Sequence, residues 1–200
     1  QARHSAQVLR EALAAARPGR VVYLSTIGAQ AAQSNLLTQH TLREQALRGL
    51  DLPITYLRPG WFMENCEFDL ADVRAGELQS YLQPLDRPLP MVATRDIGEL
   101  AARLLQERWQ GQRVVELEGP RRISPLDIAA TFARLLGHAV AAKAVPRDAW
   151  EAVFRGQGMR NPRPRAQMLD GFNEGWIAFE GEPVRGATEL ETVLRGLLGA

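Results

Sequence analysis

Residue types that carry much of protein chemistry are scarce in this 200-residue sequence, which has one lysine, Lys143, and one cysteine, Cys66. A single cysteine excludes a disulfide within the chain and favours a reducing compartment, so we expect a cytoplasmic protein. We expect Cys66 itself to be a buried thiol. The single lysine excludes every mechanism that needs a lysine at another position.

Patterns typical of metal or nucleic-acid binding are also missing. The three histidines, His4, His40 and His138, lie far apart without a cysteine cluster, so we expect no metal site. The net charge of +1 gives no electrostatic reason to expect nucleic acid as the main partner. No apolar run reaches the length of a membrane-spanning helix, so we expect no membrane partner.

Apolar residues make up 46% of the sequence, which is enough to bury a core. Uninterrupted apolar runs at 21–24 and 54–57 predict two strands covered on both faces, as in parallel sheets. Apolar residues with helical spacing, ending near residue 50, predict a helix between these strands. Strand, helix and strand in this order form a parallel pair.

The rest of the sequence predicts further alternation and then a helix-rich end. Amphipathic spacing predicts a helix over 97–105, capped by Thr94, and a last helix capped by residues 188–191. Ser124 and Asp127, with a proline between them, predict the start of another helix. The sequence therefore predicts an α/β sheet followed by a small α+β lobe, with a soft boundary near residue 120. A single domain is the alternative.

Small and polar residues follow both predicted strands, in segments 25–28 and 58–65. Because open parallel sheets build their sites just beyond the carboxyl ends of their strands, we expect the functional site here. The sequence has one candidate for a phosphate-binding glycine turn, at 156–158. It follows a predicted helix instead of a strand, so we assign it no such role.

Five segments in this order resemble the NmrA-like group of atypical short-chain dehydrogenases/reductases: 21–29, 40–44, 57–65, 92–105 and 173–177. The quinone-reductase-like members are most similar, with their His-x-x-x-Glu helix and their Arg-x-Gly-aromatic-aromatic-x-x-Asn strand end. The resemblance implies a partial doubly wound, Rossmann-type parallel sheet. Residues 1–120 would be the second half of a NAD(P)-binding domain, and residues 121–200 a mainly helical substrate lobe.

The glycine-rich loop of the family belongs to a first strand–helix unit, whereas this sequence resembles the family from the fourth strand onward. The sequence begins at Gln1, within a helical pattern, and we interpret it as a fragment. We therefore expect NADP or NAD to bind only together with an amino-terminal half. The resemblance implies an NAD(P)H-dependent reductase that transfers hydride to a small electrophile such as a quinone. The alternative is a non-catalytic NAD(P)-sensing regulator with a protein partner.

Typical short-chain dehydrogenases use a Tyr-x-x-x-Lys pair, in which the tyrosine hydroxyl exchanges a proton. Alignment on Glu44 and Pro53 places Leu36 at the tyrosine position and His40 at the lysine position. Leu36 has no proton to give, so the usual alcohol and ketone chemistry is not expected. Quinone reduction suits this sequence better, because the hydroquinone oxygens can take protons from water or a histidine.

The resemblance implies catalytic roles for Ser25 and His40. The expected cofactor contacts are Ser25, Thr26, Ile27, His40, Pro59, Gly60, Trp61 and Phe62. The expected substrate contacts are Trp61, Phe62 and Asn65.

Each of these residues also has a structural interpretation. Ser25 could satisfy its own loop, and His40 could lie on a helix surface or bond a carbonyl. Glu44 could orient His40 or be a solvated carboxylate. Both aromatic residues at 61–62 could belong to the core, and Asn65 could cap the following helix.

Overall fold

The computed structural model describes residues 1–199. The helices are α1 (Ala2–Ala16), α2 (Thr38–Leu47), α3 (Leu70–Arg74), α4 (Thr94–Gln106), α5 (Pro125–Leu136), α6 (Trp150–Gly156), α7 (Arg163–Glu174) and α8 (Leu190–Leu198). The strands are β1 (Val21–Leu24), β2 (Ile54–Pro59), β3 (Trp61–Phe62), β4 (Glu77–Ser80), β5 (Met91–Val92), β6 (Gln112–Glu118), β7 (Ala141–Ala144) and β8 (Val184–Arg185). Two 3₁₀ segments, Met63–Asp69 and Arg147–Ala149, complete the described elements.

The main sheet is parallel and has the order β1-β2-β6-β8, which confirms the predicted α/β fold. All six residues of β2 are buried, as expected for a central strand covered on both faces. β1 differs from the expectation, because three of its residues are only partly buried and Leu24 is 48% exposed. The reason is its position: within residues 1–199, β1 lies at the edge of the sheet.

Two short parallel ribbons, β3 with β5 and β4 with β7, connect the sheet to the carboxyl-terminal helices. After those helices the chain returns to the main sheet, where Leu117 of β6 pairs with Val184 of β8. The largest buried cluster likewise joins both parts, since Ile27 and Met63 share it with Phe172. The division near residue 120 stays a prediction.

One of the predicted helix caps is confirmed and another is wrong. Ser124 and Asp127 form the predicted capping box at the start of α5. Thr94 is not the cap of α4, whose preceding residue is Ala93. Instead, the Glu64 carboxylate accepts hydrogen bonds from the Thr94 backbone N–H at 2.9 Å and from its hydroxyl at 2.6 Å. A carboxylate 30 residues away therefore accepts one of the unpaired backbone N–H groups at the start of this helix.

The expected cap of the last helix is also wrong. Glu189 precedes α8 and makes no side-chain cap bond. Thr188 instead donates its hydroxyl to Asp96 of α4 at 2.6 Å, which fixes the loop before α8 against α4. None of the helices in the described range has the length and apolar content needed to cross a bilayer.

Candidate functional site

The two strand ends lie side by side, because β1 and β2 are parallel and in register. The pairing continues beyond β1, since the Ser25 N–H donates to the Leu57 carbonyl at 2.8 Å. The Ile27 N–H donates to the Pro59 carbonyl at 2.9 Å. The segments 25–28 and 58–60 therefore lie side by side at the carboxyl end of the sheet, as the sequence predicts.

Arg58 is the centre of a buried ionic cluster at this edge. Its side chain is fully buried, and its guanidinium donates to both oxygens of Glu44, from Nε at 2.9 Å and from Nη2 at 2.6 Å. Nη1 donates to Gln30 at 3.2 Å and to the Glu180 carboxylate. Ser25, Glu44, Arg58 and Glu180 together are called the arginine cluster below. Its fork-like bonding uses the planar geometry that distinguishes arginine from lysine.

Ser25 belongs to this cluster, and it is only 3% exposed. Its hydroxyl donates to Glu44 Oε1 at 2.6 Å, so its proton is already engaged. Glu44 is itself buried, and it binds Ser25 and Arg58 instead of His40. Both expected roles of Glu44, orienting His40 or facing solvent, are therefore wrong. The reason is that Arg58 extends from the adjacent strand and neutralises its charge.

Burial alone would lower the pKa of Arg58, but its hydrogen bonds and ion pairs with Glu44 and Glu180 outweigh burial and raise it. Arg58 is thus permanently charged. Glu116 of β6 adds a second anchor for the same loop, since its carboxylate accepts the backbone N–H groups of Glu180 at 3.0 Å and Gly181 at 2.8 Å. The cluster therefore joins both strand ends to the loop that precedes β8.

His40 lies on α2, partly buried, and its Nδ1 is 3.1 Å from the hydroxyl of Tyr23 on β1. Burial lowers the pKa of His40, the neighbouring Arg43 lowers it further, and Glu44 opposes them. The imidazole is therefore mainly neutral at neutral pH. It bonds neither a backbone carbonyl nor Glu44. Its Nε2 has no hydrogen-bond partner among residues 1–199.

The other expected cofactor contacts differ in their exposure. Thr26 is partly exposed at the edge, whereas Ile27 is 1% exposed and its side chain belongs to the largest core cluster. Pro59 and Gly60 are buried. A side chain at Gly60 would collide with the carbonyl oxygen of Pro90. The sequence predicts that Gly60 is small to leave room for a nicotinamide. The structure shows that Gly60 must be small because the Pro90 backbone lies against it.

A cavity of about 670 Å³ opens between the strand ends and the carboxyl-terminal helices, and it is called the cleft below. Its volume is within the range of small-molecule sites. Most of its lining is apolar or aromatic, with a few polar groups. The residues that matter for its chemistry are Leu36, Trp61, Asn65, Asp69, Tyr81 and Arg165.

The aromatic pair at 61–62 divides between the two faces of β3, because successive strand residues point in opposite directions. Trp61 lines the cleft and packs edge-to-face on Phe172, with ring centroids 5.3 Å apart. Phe62 packs instead against the cluster that contains Leu57 and Val92. Phe62 therefore does not line the cleft.

Asn65 lines the cleft, as the substrate role requires. Its alternative role as a helix cap is wrong: it lies inside the 3₁₀ segment, and Asp69 precedes α3. Cys66 is the expected buried thiol at 4% exposure. Burial, with smaller effects from Asp69 and Glu64, raises its pKa and makes it a poor nucleophile.

The cleft contains charged side chains that the sequence did not single out. Burial, together with the nearby Asp72 carboxylate, raises the pKa of Asp69 to about 7. Arg165 lies over the ring of Phe154 at 4.3 Å and near the ring of Tyr81 at 6.0 Å. No hydrogen bond or ion pair within residues 1–199 engages the Asp69 carboxyl. Asp69 is thus a titratable group facing the cleft with unused bonding capacity.

Sequence reasoning missed both Arg58 and Asp69 as site residues. Arg58 belongs to a segment that the sequence did identify, but its partner Glu180 is 122 residues away. Asp69 follows an apolar residue in a helical pattern and looks like an ordinary surface carboxylate. Within the described part of the chain, no group of three or more His, Cys, Asp or Glu side chains could hold a metal ion.

No protein-family model matches the sequence, and a comparison with curated proteins gave no match. Solved structures do match. A triphenylmethane reductase from Citrobacter sp. superimposes with a TM-score of 0.79 at 17% identity, over 98% of this chain and 70% of that chain. An NADPH-dependent quinone oxidoreductase from Escherichia coli, complexed with NADPH, gives 0.78 at 22% identity, over 96% and 70%.

A mutant of NmrA superimposes with a TM-score of 0.61 at 19% identity, over 97% of this chain and 65% of that chain. At these identities the likeness concerns the fold. The chain therefore has the Rossmann-type α/β fold that is shared by these two reductases and by NmrA.

Proposed function

We propose that this chain contributes the substrate half of an NAD(P)H-dependent reductase that transfers hydride to a small aromatic electrophile such as a quinone. The observation that carries the proposal is the cleft, which opens at Trp61, just after the carboxyl end of β2, and is lined mostly by aromatic and apolar groups. The fold likeness supports it, because a triphenylmethane reductase and a quinone oxidoreductase superimpose better than NmrA does.

The residues at the strand ends fit one end of a nicotinamide cofactor. His40 has a free Nε2 beside the exposed side of β1, and Thr26 is accessible at the same edge. A neutral imidazole that accepts from Tyr23 at Nδ1 carries its proton on Nε2, where it can donate to a ribose hydroxyl. A bound NAD(P)H would supply the hydride.

The described residues provide no binding site for the pyrophosphate of the cofactor. Residues 1–199 contain no glycine-rich turn between a strand and the amino terminus of a following helix, which is what binds a pyrophosphate in this type of fold. Ser25 and Ile27 are buried, so their contribution would come from the backbone of the edge. The expectation that this chain alone binds the cofactor poorly therefore stands as part of the proposal.

The cleft suits a flat electrophile whose reduction needs no tyrosine. Leu36, which aligns with the tyrosine of typical short-chain dehydrogenases, contributes to the cleft wall. Trp61 offers an aromatic surface for stacking, and Asn65 offers an amide for a polar substituent. These residues would bind the electrophile, orient it and exclude water, while the arginine cluster holds the strand ends in place.

The test is oxidation of NADPH by menadione and related quinones. It is to be run with this chain and with the longest natural polypeptide that contains it. Trp61→Ala should raise the KM for the quinone by about fivefold, because stacking on one aromatic contributes about 1 kcal/mol. Phe62→Ala is the matched control, since Phe62 lies on the other face of β3. Folding of both variants is checked by circular dichroism.

The regulator hypothesis predicts a different result. Dinucleotide binding by the longest polypeptide, without oxidation of NADPH by any quinone, would favour a sensing protein and contradict the reductase proposal. Equal effects of Trp61→Ala and Phe62→Ala on KM would remove the cleft as the quinone site.

A further inference from the structure

We propose that the carboxyl of Asp69 is the proton-donating residue of the cleft: it hydrogen-bonds a carbonyl oxygen of an uncharged aromatic substrate and gives that oxygen a proton during reduction. This inference rests on the proposed function and adds a catalytic residue to it. It follows from the position of the Asp69 carboxyl in the cleft and from the lack of a hydrogen-bond partner for it among residues 1–199.

The position of Asp69 is built by the chain around it. It ends the 3₁₀ segment Met63–Asp69 that leaves β3, so it follows directly from the strand end that carries Trp61. Both Trp61 and Asp69 line the cleft. Although Asp69 precedes α3, its side chain makes no cap bond to that helix. The carboxyl is therefore available to a molecule in the cleft.

The groups around Asp69 come from several elements. Asp72 is on α3, Cys66 is on the same 3₁₀ segment, Tyr81 follows β4, and Arg165 is on α7; all four line the cleft. Burial and the Asp72 carboxylate hold the pKa of Asp69 near 7. The Arg165 guanidinium is stacked on the ring of Phe154 and makes no ion pair with Asp69 within residues 1–199.

The other proton carriers are less suited to this role. Burial raises the pKa of the Cys66 thiol and of the Tyr81 hydroxyl above their ordinary values, so both hold their protons tightly at neutral pH. Ser25 and His40 are not part of the cleft lining. A general acid acts best when its pKa is near the working pH, and Asp69 meets that condition.

The proton step balances for a quinone. Hydride transfer from a reduced nicotinamide brings two electrons and one hydrogen to the quinone. The O–H bond of the Asp69 carboxyl then breaks, and a new O–H bond forms on the substrate oxygen that gains negative charge. The product is the hydroquinone, and the Asp69 carboxylate regains its proton from solvent. Before reduction, the same protonated carboxyl donates a hydrogen bond to the quinone carbonyl.

The experiment measures menadione binding to this chain without cofactor, by quenching of tryptophan fluorescence, across the pH range around 7. Affinity should fall about tenfold as pH rises through the pKa of Asp69, because an ionised carboxylate cannot donate to a carbonyl oxygen and repels it. Asp69→Asn should bind menadione with little pH dependence, since its amide still donates. Asp69→Ala should bind weakly at every pH.

Three further variants sharpen the result. Asp72→Asn should move the pH midpoint downward, because it removes the neighbouring negative charge that raises the pKa of Asp69. Tyr81→Phe should leave the midpoint in place, and the exposed Asp51→Asn serves as the surface control. In the longest natural polypeptide, Asp69→Asn should lower kcat about tenfold or more while menadione still binds.

Two outcomes would overturn the assignment to Asp69 while leaving the reductase proposal intact. One is menadione binding and turnover that do not change between wild type and Asp69→Asn at any pH. The other is binding that tightens as pH rises, especially for a cationic aromatic dye, which would show that an ionised Asp69 recognises positive charge. Absence of menadione binding in every variant would instead contradict the proposed function itself.

Discussion

Two polar regions lie at the same end of the sheet, and they use charge in opposite ways. In the arginine cluster, Arg58 and Glu44 are fully buried, and both oxygens of Glu44 and the Ser25 hydroxyl are engaged. In the cleft, Asp69 is only partly buried, and its carboxyl has no partner within the described residues. The buried groups of the first region have no bonding capacity left for a ligand, although Glu180 at its rim is 54% exposed, whereas the carboxyl in the second region is free to bind one.

The comparison shows that burial of charged side chains at a strand end does not by itself mark a catalytic group. A buried ion pair with complete bonding holds elements together, and it leaves nothing to offer a substrate. A titratable group that is desolvated but unpaired is the better candidate, because its protonation state responds to what binds beside it. The predictions below separate these two roles, beginning with the largest expected effect.

The first prediction concerns Arg58→Ala. This variant should lose about 3–5 kcal/mol of unfolding free energy, because it leaves Glu44 buried without its counter-charge. Arg155→Ala is the matched control: it breaks an exposed pair with Glu151 on α6, which contributes about 0.3–0.5 kcal/mol. Urea denaturation measures both. A loss below 1 kcal/mol for Arg58→Ala would mean that the cluster does not hold the strand ends together.

The second prediction concerns the residue next to the cluster, Gly60. Gly60→Ala should destabilise the unliganded chain by about 1–3 kcal/mol, because the new methyl group must displace the Pro90 backbone. Gly98→Ala, in an exposed position of α4 with open space around it, should instead stabilise by about 0.5–1 kcal/mol. If Gly60→Ala were as stable as wild type, with only ligand binding impaired, the cofactor interpretation of this glycine would be restored.

The strands and the start of α5 show what could be predicted from the sequence. The strands around 21–24 and 54–57, their parallel pairing and the juxtaposition of their ends depend on local apolar runs and on chain order, and the sequence contains both. The capping box at Ser124 is equally local, because both partners lie within three residues. These features are predictable because the physical cause lies close to the residues that show its effect.

The features that could not be predicted depend on distant partners. Arg58 and Glu180 are 122 residues apart, and nothing in either segment indicates that they meet. The start of α4 could not be predicted either, because the group that bonds Thr94 there is Glu64, 30 residues earlier in the chain. The unpaired state of Asp69 is harder still, because it is defined by the absence of a neighbour and by the shape of the cleft.

The third prediction uses the pH dependence of stability to test whether Asp69 is unpaired. In the folded chain the pKa of Asp69 is about 7, against 3.8 for the free carboxyl. Between these values the unfolded chain is ionised at this position while the folded chain holds the proton. Wild type therefore loses stability as pH rises from about 4 to 7, and the loss is complete above 7.

Asp69→Asn removes this titration, because asparagine resembles the protonated acid. The variant should match wild type at low pH and be more stable by roughly 1–2 kcal/mol above pH 7, since solvent at the mouth of the cleft reduces the full linkage energy. Urea denaturation across this pH range gives the difference. A constant difference at all pH values would show that Asp69 titrates alike in the folded and unfolded chain.

The last prediction concerns Ser25, which links the expected catalytic site to the arginine cluster. Ser25→Ala removes one hydrogen bond to Glu44 and leaves both bonds from Arg58, so we expect a loss of about 1 kcal/mol. Ser34→Ala, in the exposed loop after β1, should change stability little. Menadione binding should be unaffected by either variant, because Ser25 does not line the cleft. If Ser25→Ala kept its stability but lost turnover with quinones, Ser25 would act on the reacting groups, and the closed cluster would not be purely structural.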